Sequence, residues 1–493
     1  MSPPPRIDEE QLRTPLFDAM VGLAESRKVS FHTPGHKSGK GISTRFRKFV
    51  GPRIFSIDLT TLDEVDSLQN PTGVIKEAQE LAAKAAGADR SYFLVNGTTV
   101  GNHAMVASTT GPGDKVIIAR NCHRSVLTGL IVSGATPVFF QPVFDRDLKL
   151  TLNVKFETAK AAIDANPGAR ALLITSPNYY GLCADIERII PYAHERGLIV
   201  LVDEAHGPHL KFNPKLPKCA LEIGADLCVQ STHKIVGGMT QASMLHAKAG
   251  RINIDDVTNT LKLLQTTSPS YILMASLDLA RMQMATEGKK LLTRTIKLAE
   301  EARAQINTIP GITCFGKDRA QAAGMADMDV TKLTITVSDM GLSGYHVSQM
   351  LNTRFGIQVE MADPFHILVI VSIGDRQEDL TQLVEALKVI STETGLQGAL
   401  LPLDRVHPPV LDNKFAMTPR DAFYSDSELV SINDSAGRVS TEVVTVYPPG
   451  IPLLVPGEEI SRDAIDYLQN MAGLGAIIDG MNENNTLIRV AKA

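Results

Sequence analysis

Three short stretches bring polar, reactive side chains to the point where an apolar run ends. In SYFLVNGTTVGN, residues 91–102, the run stops at Asn96-Gly97-Thr98-Thr99, a glycine and two hydroxyls entering a predicted helix. Free backbone N–H groups there, with the helix dipole behind them, suit a phosphate, although the same residues also make an ordinary N-cap. In GLIVLVDEAHGPH, residues 197–209, the run meets Asp203 and Glu204. A carboxylate at the end of a buried strand is costly to desolvate unless it is paired or performs chemistry, the alternative being a strand-end cap. His206 and His209 lie three apart, but Gly207-Pro208 between them breaks the helical spacing that would aim both at one ion, so no metal site is predicted. In DLCVQSTHKIVGG, residues 226–238, the run meets Ser231, Thr232, His233 and Lys234. A lysine in an apolar setting suits a Schiff-base amine, because burial favours the neutral, nucleophilic form; a solvated loop lysine is the competing reading.

The elements that must hold these stretches alternate along the chain. TGVIKEAQELAAKAAG, residues 72–87, spaces Val74, Ile75, Ala78, Leu81, Ala82 and Ala85 as an amphipathic helix with Gly87 as its stop. SYFLVNG, DKVIIAR, TPVFFQPV, RALLITSP, GLIVLVDE and ADLCVQS then read as short strands buried on both faces, most separated by room for a helix. That alternation predicts an α/β protein with a mostly parallel sheet, whose sites gather at the carboxyl ends of its strands. Long helical stretches follow residue 255, including one that ends at Pro310-Gly311. From about 330, KLTITVS, GYHVSQMLNTRFG, IQVEM, HILVIVSIG and DLTQLVEALKVI read as a small α+β unit. The last hundred or so residues are punctuated by Pro and Gly and read as an irregular third unit. The divisions expected are 1–71, a segment that wraps another surface; 72–329, the large domain; 330–395, the small α+β domain; and 396–493, the C-terminal domain.

Composition narrows the function classes. The chain has 493 residues, 44% hydrophobic and 21% charged, which fits a globular protein with a sizeable core. A net charge of −5 leaves no electrostatic footprint for nucleic acid. The five cysteines, Cys122, Cys183, Cys219, Cys228 and Cys314, are odd in number and form no CxxC pair, which favours a reducing compartment. The opening MSPPPRIDEE lacks the basic-then-apolar pattern of a signal peptide, and no apolar run is long enough to span a membrane, so the expected location is cytoplasmic.

A phosphate cradle, a carboxylate and an amine on successive strand ends are the needs of pyridoxal 5′-phosphate. Here the sequence resembles the prokaryotic Orn/Lys/Arg decarboxylases, fold-type I (aspartate aminotransferase-like) pyridoxal-phosphate enzymes. The matching segments are FHTPGHKSGKG (31–41), NPTGVIKEAQELAAKAAGAD (70–89), FLVNGTTVGN (93–102), NCHRS (121–125), TSPNYYG (175–181), VDEAHGPH (202–209), STHK (231–234), TTSPSY (266–271) and YPPGIPLLVPGE (447–458). They run in order over nearly the whole chain.

The resemblance implies that Lys234 forms the Schiff base and that Asp203 partners the pyridinium nitrogen. It implies that His123 stacks on the ring and Ala205 packs beneath it, with His206 near the phenolic oxygen. Gly97, Thr98 and Thr99, with Ser231 and His233, would hold the phosphate. Thr267 and Ser268 would serve the neighbouring subunit of a homodimer or larger homo-oligomer, and Glu442 would recognise the distal cation of the substrate. The implied reaction is decarboxylation of a basic L-amino acid, arginine to agmatine by likeness to the short forms, with lysine or ornithine as alternatives, and His123 or Lys234 returning a proton to Cα. Where many relatives carry Glu after Phe55-Ser56-Ile57-Asp58-Leu59-Thr60, this chain has Thr61, and the N-terminal wing of the acid-inducible relatives is lacking, so their ring assemblies are not implied. An aminotransferase or lyase of the same fold is the runner-up; an aminotransferase would need an arginine such as Arg354 or Arg376 for the α-carboxylate. A dinucleotide-binding enzyme is disfavoured because no GxGxxG follows a first strand, and a non-catalytic scaffold because Lys234, Asp203 and His123 are all intact.

Overall fold

Two-residue alternation inside each apolar run builds the central sheet. The computed structural model describes residues 8–26, 28–394, 414–447 and 450–492. Seven strands form the sheet: β1 (Arg90–Leu94), β2 (Lys115–Ala119), β3 (Thr136–Phe140), β4 (Ala171–Thr175), β5 (Ile199–Asp203), β6 (Leu227–Gln230) and β7 (Ser243–Ala247). Their order is β1-β7-β6-β5-β4-β2-β3. β7 runs antiparallel to both neighbours and the remaining pairs are parallel. Ile117, Leu172, Val200 and Cys228 face one layer, with Ile189 and Ile190 of the helix Ile186–Glu195. Val116, Ile118, Leu173, Leu201 and Val229 face the other, with Val100 and Met105 of the helix Gly97–Thr109 and Leu127 of the helix Arg124–Ser133. Both faces are covered, which is why the strands read as continuous apolar runs.

The first helix of the second layer lies unusually close to the sheet. A Cβ on Gly101 would meet Val229 Cγ2 at 2.3 Å and Leu94 Cδ1 at 2.9 Å. Helix propensity alone favours alanine by about 1 kcal/mol, but overpacking a well-filled core costs about 1–3 kcal/mol. Gly101→Ala is therefore expected to lower stability, read as a lower denaturant midpoint at unchanged slope; an unchanged or raised midpoint would mean that this contact does not limit packing.

The helix predicted within 72–87 spans Val74–Ala86 and ends at Gly87. The N-terminal segment packs on the protein's own large domain: Leu16 and Met20 of the helix Pro15–Glu25 lie against Ile75, Ala78, Met274 and Leu277. Asp278 fixes it, accepting the Leu16 N–H at 3.1 Å on one oxygen and Arg281 Nη2 at 2.6 Å on the other. The long helix Tyr271–Ile306 joins the large domain to the small one. In the small domain the strands Thr313–Cys314, Lys332–Thr336, His366–Ile370 and Met361–Ala362 form an antiparallel sheet, covered by the helices Gly344–Phe355 and Gln377–Thr394. Of the predicted strand IQVEM only its last residue, Met361, lies in a strand, with the Glu360 N–H adding a bond to Leu368 O at 2.9 Å.

The expected 395/396 division and the stretch PLDRVHPPV lie outside the described residues. Beyond them the third unit has its own core, in which Val444, Leu454, Ile465, Leu468 and Ile488 pack together. It docks on the large domain through Arg120, whose Nη1 and Nη2 donate to Glu458 Oε1 and Oε2 at 2.7 and 2.9 Å.

Candidate active site

Sheet register draws the three chemical stretches to one edge. Because β7 is reversed against both β1 and β6, β1 runs the same way as β6, β5 and β2, and all four finish on the same side. Ser243, next to Met244, faces Leu94 while Met244 faces Gln230, and Asp203 lies between Val229 and Thr175. The residues that follow Leu94 and Gln230 therefore emerge beside Asp203. Two loop residues tie them together: Gln241 O accepts the Gly97 N–H at 3.0 Å, and Ala242 O accepts the His233 N–H at 3.2 Å. Thr98 Oγ1 and Ser231 Oγ are 3.1 Å apart. Gly97 has φ 68° and heads a 13-residue helix whose first-turn amides lack partners within the helix.

Asp203 is buried and firmly oriented. Its Oδ2 accepts Asn102 Nδ2 at 2.8 Å, and its Oδ1 accepts the Ala205 N–H at 3.1 Å. The second hydrogen on Asn102 Nδ2 goes to Ser125 Oγ at 2.9 Å, which frees the Ser125 hydroxyl hydrogen for His123 Nδ1 at 2.8 Å. His123 Nδ1 also accepts the Ser125 N–H at 3.2 Å. With Nδ1 accepting, the ring hydrogen of neutral His123 sits on Nε2. Burial pushes the His123 pKa down, partly countered by the charge of Asp203.

Lys234 lies in the one-turn helix Thr232–Ile235 directly after β6. Burial lowers its pKa, against the pull of Asp203 and Glu360. Its Nζ stands 2.8 Å from His206 Nε2 and 5.3 Å from the centroid of the Tyr179 ring, which itself packs on His206. His206 touches a second lysine on its other side, with Lys332 Nζ 3.2 Å from Nδ1. His209 turns away to Asp329, 3.1 Å between Nε2 and Oδ2, so the two histidines of HGPH do not converge. Glu204 also points away from Lys234, accepting the Ala220 N–H at 2.8 Å and Gln230 Nε2 at 2.6 Å, and burial raises its carboxyl to about 7.

Lys234, Asp203, His123, His206, Ala205, Ser231, His233, Gly97 and Thr98 thus share one edge, with Thr99 exposed on the same first helical turn. Thr267 and Ser268 are exposed at the approach to the helix Tyr271–Ile306, and no described contact joins them to Lys234. Glu442 lies in the C-terminal unit, where its Oε1 accepts Arg489 Nε at 2.9 Å; within one chain it is not brought to Lys234. Pro448 and Pro449 of the YPPGIP stretch lie outside the described residues.

The major-domain profile of the Orn/Lys/Arg decarboxylases matches residues 14–379, and the C-terminal-domain profile matches residues 409–484. The chain is 42% identical over 483 residues to a Bacillus subtilis protein named arginine decarboxylase, covering 98% of each. It belongs to the Orn/Lys/Arg decarboxylase family. The fold is that of the Francisella novicida lysine decarboxylase LdcF, at TM-score 0.83 and 21% identity over 98% of this chain and 82% of that one. It extends to an alanine–glyoxylate aminotransferase from a Nostoc species, at TM-score 0.54 and 18% identity over 66% of this chain and 88% of that one. The α/β fold-type I architecture expected from the sequence is the one found.

Arg354, a candidate for an aminotransferase carboxylate site, is instead exposed and paired with Glu393 at 2.8 Å. Arg376 is also exposed, its backbone N–H bonded to Asp379. Sequence reasoning missed Asn102, Ser125, Tyr179 and Lys332. Asn102 was findable, since it lies four residues after Thr98 and so on the same helix face. Lys332 carried no signal, because a lysine at the head of an apolar strand reads as its solvated end.

Proposed function

We propose that this decarboxylase acts on L-arginine, releasing carbon dioxide and agmatine, with pyridoxal 5′-phosphate bonded to Lys234. The observation that carries the reading is a desolvated lysine amine on the strand edge shared with an aspartate whose two oxygens are already held by Asn102 and Ala205. The residues fit the cofactor. A Cβ on Gly97 would meet no heavy atom within 4 Å, so the head of its helix is open to a phosphate, with the Thr98 and Ser231 hydroxyls beside it. The near-full-length likeness to an arginine decarboxylase supports the substrate.

When bound, pyridoxal 5′-phosphate supplies an electron sink for the pair left behind as carbon dioxide departs. The chain's part is to hold and to move protons. Gly97, Thr98, Thr99, Ser231 and His233 would hold the phosphate. Asp203, fixed by Asn102, would partner the ring nitrogen, and Ala205 and His123 would pack on the ring. His123, held at Nδ1 by Ser125, could pass an Nε2 proton to Cα from its doubly protonated form, its Nδ1 hydrogen then donating to Ser125 Oγ so that the neutral ring is left behind. Thr267, Ser268 and Glu442 complete the site from a second copy in a homodimer or larger assembly, which their surface positions permit. A cytoplasmic location accords with five cysteines that are all buried and unpaired.

The deciding experiment offers arginine, lysine and ornithine separately to the loaded protein and measures carbon dioxide and amine. Agmatine is expected to form fastest. Faster release of cadaverine or putrescine would replace the substrate, and a keto acid in place of carbon dioxide would remove decarboxylation altogether.

A further inference from the structure

The large and small domains meet at a seam with an apolar core of its own, in which Leu150, Leu152 and Leu182 of the one pack with Met361 and Leu368 of the other. Tyr180 is buried in that core, and its hydroxyl donates to Asp363 Oδ2 at 3.0 Å. Asp363 belongs to the small domain and is itself firmly held. Its Oδ1 accepts the Phe365 and His366 N–H groups, both at 2.8 Å, and His366 Nδ1 lies 3.0 Å from the same oxygen. A backbone carbonyl only accepts, so His366 Nε2 is the donor to Leu148 O, 2.9 Å away on the large domain. The small domain thus grips the large one at two polar points, Leu148 O and the Tyr180 hydroxyl.

Tyr180 also belongs to the turn that carries Tyr179. Asn178 Oδ1 accepts the N–H groups of Tyr180 at 3.1 Å and Leu182 at 3.0 Å, which sets the shape of the turn. Beyond it Leu182 and Cys183 pair with Met328 and Asp327, and Gly181 O accepts the Asp329 N–H at 2.8 Å. The Tyr180 hydroxyl pins the same turn to Asp363, 183 residues further along the chain. Burial alone would raise the Asp363 carboxyl, but His366 and the two amides bring it below its ordinary value, while burial and Asp363 raise the Tyr180 phenol. The bond therefore keeps its direction, phenol to carboxylate. Tyr179 is half-buried, and its ring packs on His206 with the centroids 4.7 Å apart. The ring centroid lies 5.3 Å from Lys234 Nζ, and His206 Nε2 lies 2.8 Å from the same atom. A shift of the Tyr179 ring therefore disturbs both aromatic neighbours of the Lys234 amine.

We propose that Tyr180 is a positioning residue: its hydroxyl, held by Asp363, seats Tyr179 on His206 beside Lys234, so that closing the domain seam and readying that lysine are one event. The inference rests on Lys234 being the lysine that bonds the cofactor. It gives a part in the reaction to a side chain enclosed between two domains.

The test strips the full chain of pyridoxal 5′-phosphate with hydroxylamine and reloads it at fixed pH, well below the melting midpoint of each variant. Uptake is followed by visible absorbance, and the modified lysine is located by borohydride trapping and peptide mass. Tyr180→Phe keeps the buried ring and loses only the bond to Asp363. It is expected to slow uptake at least about fivefold, since a displacement of about 1 Å is enough to cost that much. Tyr179→Leu removes the ring that Tyr180 seats and is expected to slow uptake at least as much. In the double variant the two losses should not multiply, because one substitution removes what the other displaces. A smaller loss in Tyr180→Phe, an unimpaired Tyr179→Leu, or losses that multiply overturns the proposal. A crystal structure of Tyr180→Phe gives a second reading: a Tyr179 ring moved off His206 supports the proposal, and a ring in its wild-type place overturns it. Cofactor trapped on a lysine other than Lys234 in the wild type would instead overturn the proposed function, leaving the crystal structure to decide what seats Tyr179.

Discussion

Replacing Lys234 with alanine is expected to slow amine release by at least about 10³-fold and to abolish borohydride-trappable cofactor. The side chain is the amine that meets every requirement of the site. It follows the carboxyl end of β6 by one helical turn, is desolvated, and shares its edge with Asp203 and His123. The truncation should not unfold the protein, because Ile235 and Val229 carry the local packing and the Lys234 amine makes no ion pair with a buried carboxylate. Near-native thermal stability together with lost turnover is thus the expected pair of results. Turnover within tenfold of wild type would falsify the assignment of Lys234.

The second large effect is on stability. Arg120 makes a two-pronged bond to Glu458, donates from Nη2 to Leu453 O at 2.8 Å, and lies 4.3 Å from the Phe139 ring centroid. Both charges are almost fully buried, and Glu458 Oε2 also accepts the Val455 N–H at 2.9 Å. Arg120→Met leaves the carboxylate inside the protein without this counter-charge, which costs about 3–5 kcal/mol. Neutralising both partners in Arg120→Met with Glu458→Gln is expected to recover much of the loss, since the desolvation penalty then falls away. Chemical denaturation of the four proteins measures the cycle. A single-variant loss below about 1 kcal/mol would show that the C-terminal unit is held by its apolar contacts instead.

Much of this architecture is legible in the order of residues alone. β1 to β6 each announce themselves as apolar runs because both faces of the sheet are covered. Strand β7 does not: SMLHA has no β-branched residue, and its histidine suggests a loop, yet His246 is buried and satisfied by Ser91 Oγ at 2.7 Å. The reactive residues at the ends of β1, β5 and β6 are readable because polar groups there interrupt apolar runs. Their supports are not, since Asn102 and Ser125 look like ordinary helix residues and only the fold brings them within reach of Asp203 and His123. Lys332 and His206 are 126 residues apart, so no local pattern could join them. Glu442 illustrates the opposite limit: sequence likeness gave it a role, while a single chain gives it Arg489 for company.

The reversed strand β7 has a consequence for biosynthesis. It is wedged between β1 and β6, and Ser91 on β1 reaches its partner His246 across 155 residues of chain. During translation β1 emerges early, yet it has no neighbour in the sheet until the chain has been extended through residue 247. For that interval an apolar ribbon with open backbone groups leaves the ribosome unpaired, the kind of edge on which nascent chains stick to one another. Loop closure over such a span is slow, so the helix start at Gly97 reaches its final place only near the end of large-domain assembly.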